Sequence, residues 1–330
     1  MRAMLALAPL AAFLVALLVA WLLLTPPGRR FALDAPNERS LHAQPVPRTG
    51  GIAIAAGIAA ASALVPPGVP VILGAAAALA AVSFADDIVG LPTPVRFAAH
   101  LAAAAAVLVL ELGYSEPVLF TLFLLAIAWS ANLYNFMDGS DGLAGGMAMF
   151  GFGAYALAAQ LSGAEPFASL CAAIAAASAA FLVFNFHPAR LFMGDVGSVP
   201  LGFLAGALGL WGWSRGYWPI WFPLLVFAPF MCDATLTLLR RLLRRERVWQ
   251  AHRDHYYQRL VRMGFGHRGT AVIEYAAMAA CAAVALAVRR EPPTVQAATL
   301  AGTAAVLIAI AFWVDLRWAR YLRASGGVAR

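Results

Sequence analysis

Four segments of this chain carry residues that could do chemistry, and three of them are acidic. Asp86 and Asp87 are adjacent in SFADDIVG, residues 83–90. Neighbouring carboxylates repel unless a cation or a shared proton relieves them. The pair therefore suits a divalent metal, or one acid kept as a base near neutral pH; a water-exposed helix end with two solvated acids would look the same. Residues 132–146, NLYNFMDGSDGLAGG, hold Asn132, Asn135, Asp138 and Asp141 among four glycines. The acids offer the hard oxygens that Mg²⁺ prefers, and the glycines let backbone approach a ligand closely. A calcium loop would need a terminal Glu that is missing. Residues 185–198, NFHPARLFMGDVGS, add Asn185, Phe192 and Asp195, the last with small neighbours that leave it open; Arg190 could fork to a phosphate. The fourth segment, AHRDHYYQRL, spaces His252 and His255 for one helix face, with Arg253 between them. With no third ligand, this pair fits phosphate contact or proton transfer better than zinc. Arg48, in PVPRTGG, stands at the entrance to an apolar run.

The elements that must position these residues are apolar. Of the 330 residues 62% are hydrophobic and 12% charged, half the charge of an ordinary soluble domain, which is about 25%. That excludes a disordered chain, a disulfide scaffold and a cytosolic enzyme, and leaves a polytopic membrane protein. All 23 basic residues are Arg, so a lysine-dependent phosphate loop is excluded as well. Cys171, Cys232 and Cys281 lie far apart in apolar runs and read as small core residues. Apolar runs at roughly 4–24, 50–65, 70–85, 95–111, 118–135, 143–161, 167–184, 199–213, 217–239, 271–288 and 295–315 predict an all-α fold of about eleven spans, ten being the alternative. The first run is too long for a signal-peptide core and lacks a small-residue cleavage site.

Alternate loops then fall on opposite sides. Loops 25–49, 86–94, 136–142, 185–198, 240–270 and the tail from 316 carry eighteen Arg, against four on the other side. By the positive-inside rule the N-terminus is outside and the C-terminus cytoplasmic. Asp34, Glu38, Asp86, Asp87, Asp138, Asp141, Asp195, Glu246 and Asp254 gather on the same side, although only hydropathy and Arg drew that map. An ionised side chain at the bilayer centre costs about 2.5–3.5 kcal/mol on insertion scales, so acids kept at one edge mark an ion, proton or phosphate site. Asp233, inside the ninth run, is the exception and has no role legible from its neighbours. The Arg run from 240 to 247 is accounted for by anionic headgroups, and no nucleic-acid partner is expected.

Together, PNERSLHAQPVPRTGG, FADDIVGLP, NLYNFMDGSDGLAGG, NFHPARLFMGDVGS and AHRDHYYQRL resemble the polyprenyl-phosphate N-acetylhexosamine-1-phosphate transferases. The resemblance implies a single integral membrane domain of the bacterial inner membrane with its active site on the cytoplasmic loops. It implies transfer of an N-acetylaminosugar 1-phosphate from a UDP-sugar to undecaprenyl phosphate with release of UMP. It also implies a requirement for Mg²⁺, with Mn²⁺ as a substitute, and allows a homodimer. By matching motif, Asp195 would bind the metal, with Asn135 or an acid of the Asp86-Asp87 pair as a second contributor. Asp86, with Asp87 beside it, would deprotonate or orient the lipid phosphate; Asp138 and Asp141 would line the nucleotide and metal site. Asn132, Asn185 and Phe192 would belong to the substrate pocket, Phe192 stacking on uracil, and Arg48, His252, Arg253 and His255 would contact diphosphate or sugar.

The muramoyl-pentapeptide branch carries three consecutive His and a lysine where this chain has His252-Arg253-Asp254-His255 and no Lys. The resemblance is therefore closer to enzymes that start O-antigen and other surface polysaccharides, with the peptidoglycan transferase as the alternative. An ion-coupled transporter is the reading from a different class. It would place acids near the midplane within internal repeats, which the pattern lacks.

Overall fold

In a computed structural model, residues 2–29, 33–34, 45–65, 68–247 and 252–324 are described. Glu38 and the side chain of Asp34, both assigned above to the acidic face, lie outside the described residues, as do residues 248–251. The chain runs through α1 (Arg2–Leu23), α2 (Pro26–Arg29), a two-residue antiparallel ladder of β1 (Leu33–Asp34) with β2 (Val46–Pro47), α3 (Gly50–Leu64), α4 (Pro70–Val89) and α5 (Thr93–Ala106), which continues as a π-turn to Glu111. There follow α6 (Pro117–Phe136), α7 (Leu143–Gln160), α8 (Glu165–Asn185), α9 (Asp195–Ser214), α10 (Trp221–Val226), α11 (Ala228–Leu243), α12 (Tyr256–Leu260), α13 (Gly266–Val288) and α14 (Pro293–Ala324). The fold is an all-α polytopic membrane protein. Among the described residues, eight helices are long and apolar enough to cross a bilayer.

Two expectations need correction. The ninth apolar run is not one helix: it breaks at Phe227, between α10 and α11. Pro229 lacks an N–H and sits in the first turn of α11, where that missing donor costs nothing, so it suits a fresh helix start there. Several expected loops are also shorter than hydropathy implied. Asp86 and Asp87 sit in the last turn of α4, Asp195 opens α9, and helix occupies much of 240–270. Polar residues at a helix end lower the mean hydropathy without ending the helix.

Cross-element hydrogen bonds sort the connections to two ends. At one end Ser162 Oγ donates to the Tyr217 carbonyl (3.1 Å), Arg290 reaches the Leu161 carbonyl (2.9 Å) and Trp221 Nε1 donates to Gln296 (2.8 Å). The opposite end holds all three acidic segments and the histidine segment. α9 is the spine, with most of its residues buried from Val196 to Gly212. It meets α3 at Gly51 and Gly197, where a Cβ on Gly51 would run into the Gly197 backbone.

Candidate active site

The end of α4 and the start of α9 bring three carboxylates around two arginines. Asp86 Oδ1 accepts from the Leu91 N–H (2.6 Å), and its Oδ2 pairs with Arg96 Nη1 (2.8 Å). The same Nη1 lies 3.8 Å from Asp195 Oδ2. Asp87 Oδ1 pairs with Arg48 Nη2 at 3.2 Å. Arg48 is placed by backbone pairing: Phe192 N–H donates to the Pro47 carbonyl (2.8 Å), Gly50 N–H to the Phe192 carbonyl (2.8 Å) and Gly51 N–H to the Met193 carbonyl (2.9 Å). Gly194 has φ +70 and its α-carbon faces the Arg48 carbonyl, a place where a side chain would clash. Asn135, at the end of α6, interacts with Asp195 and accepts from Ser198 Oγ (2.7 Å).

Beside this knot lies the loop between α6 and α7. Asp141 is buried, and its Oδ2 accepts from the Ala189 N–H (3.1 Å) and meets His187 Nδ1 at 2.7 Å. His267 Nδ1 lies 3.7 Å from Asp141 Oδ1 and 2.9 Å from Ser140 Oγ, and the two imidazoles stack with centroids 5.4 Å apart. Asn185 is buried with both ends of its amide engaged: Oδ1 accepts from the Gly142 N–H (2.9 Å) and Nδ2 donates to the Leu191 carbonyl (2.9 Å). Asn185 thereby ties the Asp141 loop to the strand-like stretch that leads to Asp195. Asp138 is half-buried beside Tyr134 and Tyr257. Asn132 lies a turn back in α6, tied to the Ala128 carbonyl (2.8 Å) and to His100 Nδ1 (3.1 Å) of α5. Phe192 is half-buried.

The histidine segment is anchored from beneath by Asp233 of α11. Its carboxylate, 5% exposed, meets His255 Nδ1 (2.9 Å) and accepts from the N–H groups of Tyr256 (3.0 Å) and Tyr257 (2.9 Å). The Tyr257 hydroxyl donates to the Phe136 carbonyl (3.3 Å), which brings this segment against the end of α6. The His252 ring lies tilted against His255, with centroids 4.9 Å apart. Burial, then the neighbouring His255 and Arg241, push the His252 pKa down to about 4. Arg253 is half-buried beside them.

Chemically, this end can bind and align phosphates. Arg48 and Arg96 are forked cations held by carboxylates, and each can exchange a carboxylate oxygen for a phosphate oxygen. Among the described residues no group of three or more His, Cys, Asp or Glu could by itself hold a metal. Mg²⁺ is ordinarily held by one or two carboxylates plus substrate phosphates and waters. Asp195 and Asp86, facing the same guanidinium nitrogen, with the Asn135 amide beside Asp195, are a donor set of that kind.

Comparison with known proteins shows the family. The model of "Glycosyl transferase family 4" matches residues 69–212. A Bacillus subtilis protein named "Probable undecaprenyl-phosphate N-acetylglucosaminyl 1-phosphate transferase" is 30% identical over 290 residues, 80% of each chain. The chain belongs to this family of polyprenyl-phosphate hexosamine-1-phosphate transferases. A Mycolicibacterium smegmatis "Decaprenyl-phosphate N-acetylglucosaminephosphotransferase" is 28% identical over 295 residues, 74% of this chain and 72% of that protein. A Geobacillus thermodenitrificans "Phospho-N-acetylmuramoyl-pentapeptide-transferase" is 45% identical, but only over 92 residues, 28% of each chain.

In this family member, an enzyme of the transferase kind, sequence reasoning underweighted four residues. Arg96, the one Arg that the eighteen-against-four map leaves out, joins Asp86 to Asp195. Asp233 had no role, and it supports the histidine segment. His187 and His267, stacked on one another, each reach one oxygen of the Asp141 carboxylate. His187 stood in a quoted motif; His267 carried no local signal, because its partner is 126 residues away.

Proposed function

We propose that this protein transfers N-acetylglucosamine 1-phosphate, or a related N-acetylaminosugar 1-phosphate, from its UDP-sugar to undecaprenyl phosphate. The products are UMP and the undecaprenyl-diphosphate sugar, the first membrane step of a cell-envelope polysaccharide such as O-antigen. The observation that carries the reading is the knot of Asp86, Asp87 and Asp195 around Arg48 and Arg96 at the ends of apolar helices. A lipid phosphate must be met where apolar span gives way to charge. The two longer relatives, named for N-acetylglucosaminyl phosphate transfer, support the donor.

An oxygen of the lipid phosphate attacks the sugar-bearing phosphorus of the donor, the bond to the bridging oxygen breaks, and UMP leaves. Two anions must approach, so positioning and charge neutralisation dominate. Arg48 and Arg96 take phosphate oxygens. Asp86 and Asp87 hold those arginines in the absence of substrate and orient the lipid phosphate, accepting its proton where it carries one. Asp141 with His187 shapes the nucleotide side next to Phe192, and Asn185 keeps the two loops together. His252 and Arg253 face the diphosphate from the histidine segment. Mg²⁺, or Mn²⁺ in its place, would be held by Asp195 with Asn135 and would supply charge neutralisation on the donor diphosphate.

The test is purified protein with undecaprenyl phosphate, Mg²⁺ and a panel of UDP-N-acetylsugars, read as UMP release and lipid-linked sugar. Transfer from UDP-N-acetylglucosamine is the expected result; no transfer from any donor by a folded preparation would remove the reading. Asp195→Asn should lower kcat on the order of 100-fold, the loss typical of removing one electrostatic contact to a transition state, with unchanged yield. Full activity in that variant would remove the metal assignment.

A further inference from the structure

The last helix, α14, packs against the histidine segment as well as against α11 and α13. Tyr256 and Leu260 of α12 pack with Ala311 and Val314 of α14 in a small core separate from the main one, with Leu236 and Met263 against it. One turn of polar contacts reinforces it. Asp315 of α14 takes Arg259 Nη1 at 2.9 Å on Oδ1, and both of its oxygens are gripped by the two Nη atoms of Arg240. The two guanidiniums that meet on Asp315 also flank Tyr256, with Arg240 5.1 Å and Arg259 5.3 Å from the ring centroid. Arg259 is 5% exposed, so Asp315 neutralises a buried cation in the segment that carries His252, Arg253 and His255.

We propose that Asp315 is a positioning residue for the reaction: through Arg259 and Arg240 it fixes Tyr256, and so sets where His252 and Arg253 stand relative to the phosphates. Asp233 holds the segment from below by its backbone and by His255. It leaves the Tyr256 ring undetermined, while Arg241 of α11 pairs with Asp254 among the preceding residues. Asp315 supplies that second constraint from the side, the reason a lone carboxylate stands 23 residues into α14. The inference rests on the reading that the His252 segment contacts substrate.

The experiment is a double-mutant cycle in purified full-length protein using Asp315→Asn, which keeps the shape, and His252→Gln, with UMP release as the readout. His252→Gln alone tests the underlying reading: an unchanged kcat there removes the substrate role of the segment, whatever Asp315 does. For the proposal, Asp315→Asn should lower kcat about tenfold with KM for the UDP-sugar within twofold, and the loss should shrink to less than threefold in the His252→Gln background. Asp315→Glu should restore most of the rate. The proposal is overturned if Asp315→Asn leaves kcat unchanged, or if its loss is as large with His252→Gln as without it. A thermal midpoint that falls while kcat per folded molecule stays at the wild-type value would also overturn it, showing a merely structural contact.

Discussion

Asp233 and His252 show how much of a site residue's behaviour is set by partners distant in sequence. Asp233 looked like an expensive acid within an apolar run; its cost is met by the His255 ring and two backbone N–H groups 22 to 24 residues downstream. No local pattern could have revealed that. The clustered acids were legible because each is an outlier against apolar surroundings. Arg96 was not, because Arg is also the residue that marks topology, and its two roles share one sequence signature. For His252 the structure makes a pH prediction. Its pKa is pushed down to about 4, first by burial, while an unfolded His titrates near 6.5. Between those values the unfolded chain takes up a proton that the folded one refuses, so this residue's contribution to stability is full above about 6.5. It is lost as the pH falls from there towards 4. His252→Gln should therefore narrow the drop in thermal midpoint between pH 7 and pH 5 in detergent. The wild-type rate should show no limb near 6.5 that His252→Gln abolishes; such a limb would mean that the imidazole titrates as an exposed one.

At the scale of elements, helices were the most legible feature and their interruptions the least. Hydropathy located the apolar stretches because each helix satisfies its own backbone within lipid. Averaging over a window conceals the break at Phe227 and the helical turns that carry Asp86, Asp87 and Asp195. Glycine positions were also undifferentiated in sequence, and the structure separates them. Gly51 lies against the backbone of Gly197 where α3 crosses α9, whereas Gly74 in the second turn of α4 faces open space. Gly51→Ala should force the helices apart next to Arg48 and cost about 1–3 kcal/mol, the range for overpacking. Gly74→Ala should be neutral or stabilise by about 0.5–1 kcal/mol through lost unfolded-state freedom. Thermal unfolding of the two variants in the same detergent checks both. Equal midpoints would mean that the crossing is looser than the structure has it.

Over the whole molecule, the decisive property is that chemistry and charge share one end. The hydrogen bonds place the α7–α8, α9–α10 and α13–α14 connections together at the end away from the acids. The broken pair α10–α11 starts at that end and finishes at the histidine segment, so it traverses the bundle once despite its break. With that pair taken as a single crossing, the tail after α14 emerges at the acidic end, and Asp315 confirms the placement through Arg259. The Arg distribution predicts which side of the membrane this end occupies: the sequence assigns eighteen of 23 Arg to the loops of this side, and Arg96, paired with Asp86, adds to them, which favours the cytoplasm. Periplasm-active alkaline phosphatase fused after residue 324 should then be inactive, and fusions at Gly163 or Gly216 should be active. A cytoplasm-active reporter should give the reverse pattern. If α10–α11 instead returned to the side it came from, residues 252–265 would lie across the membrane from Asp138, and the reporter at 324 would match the one at Gly216. Agreement between those two reporters would therefore refute the single active-site end as well as the orientation, because His252 and Asp195 could not then serve the same phosphates.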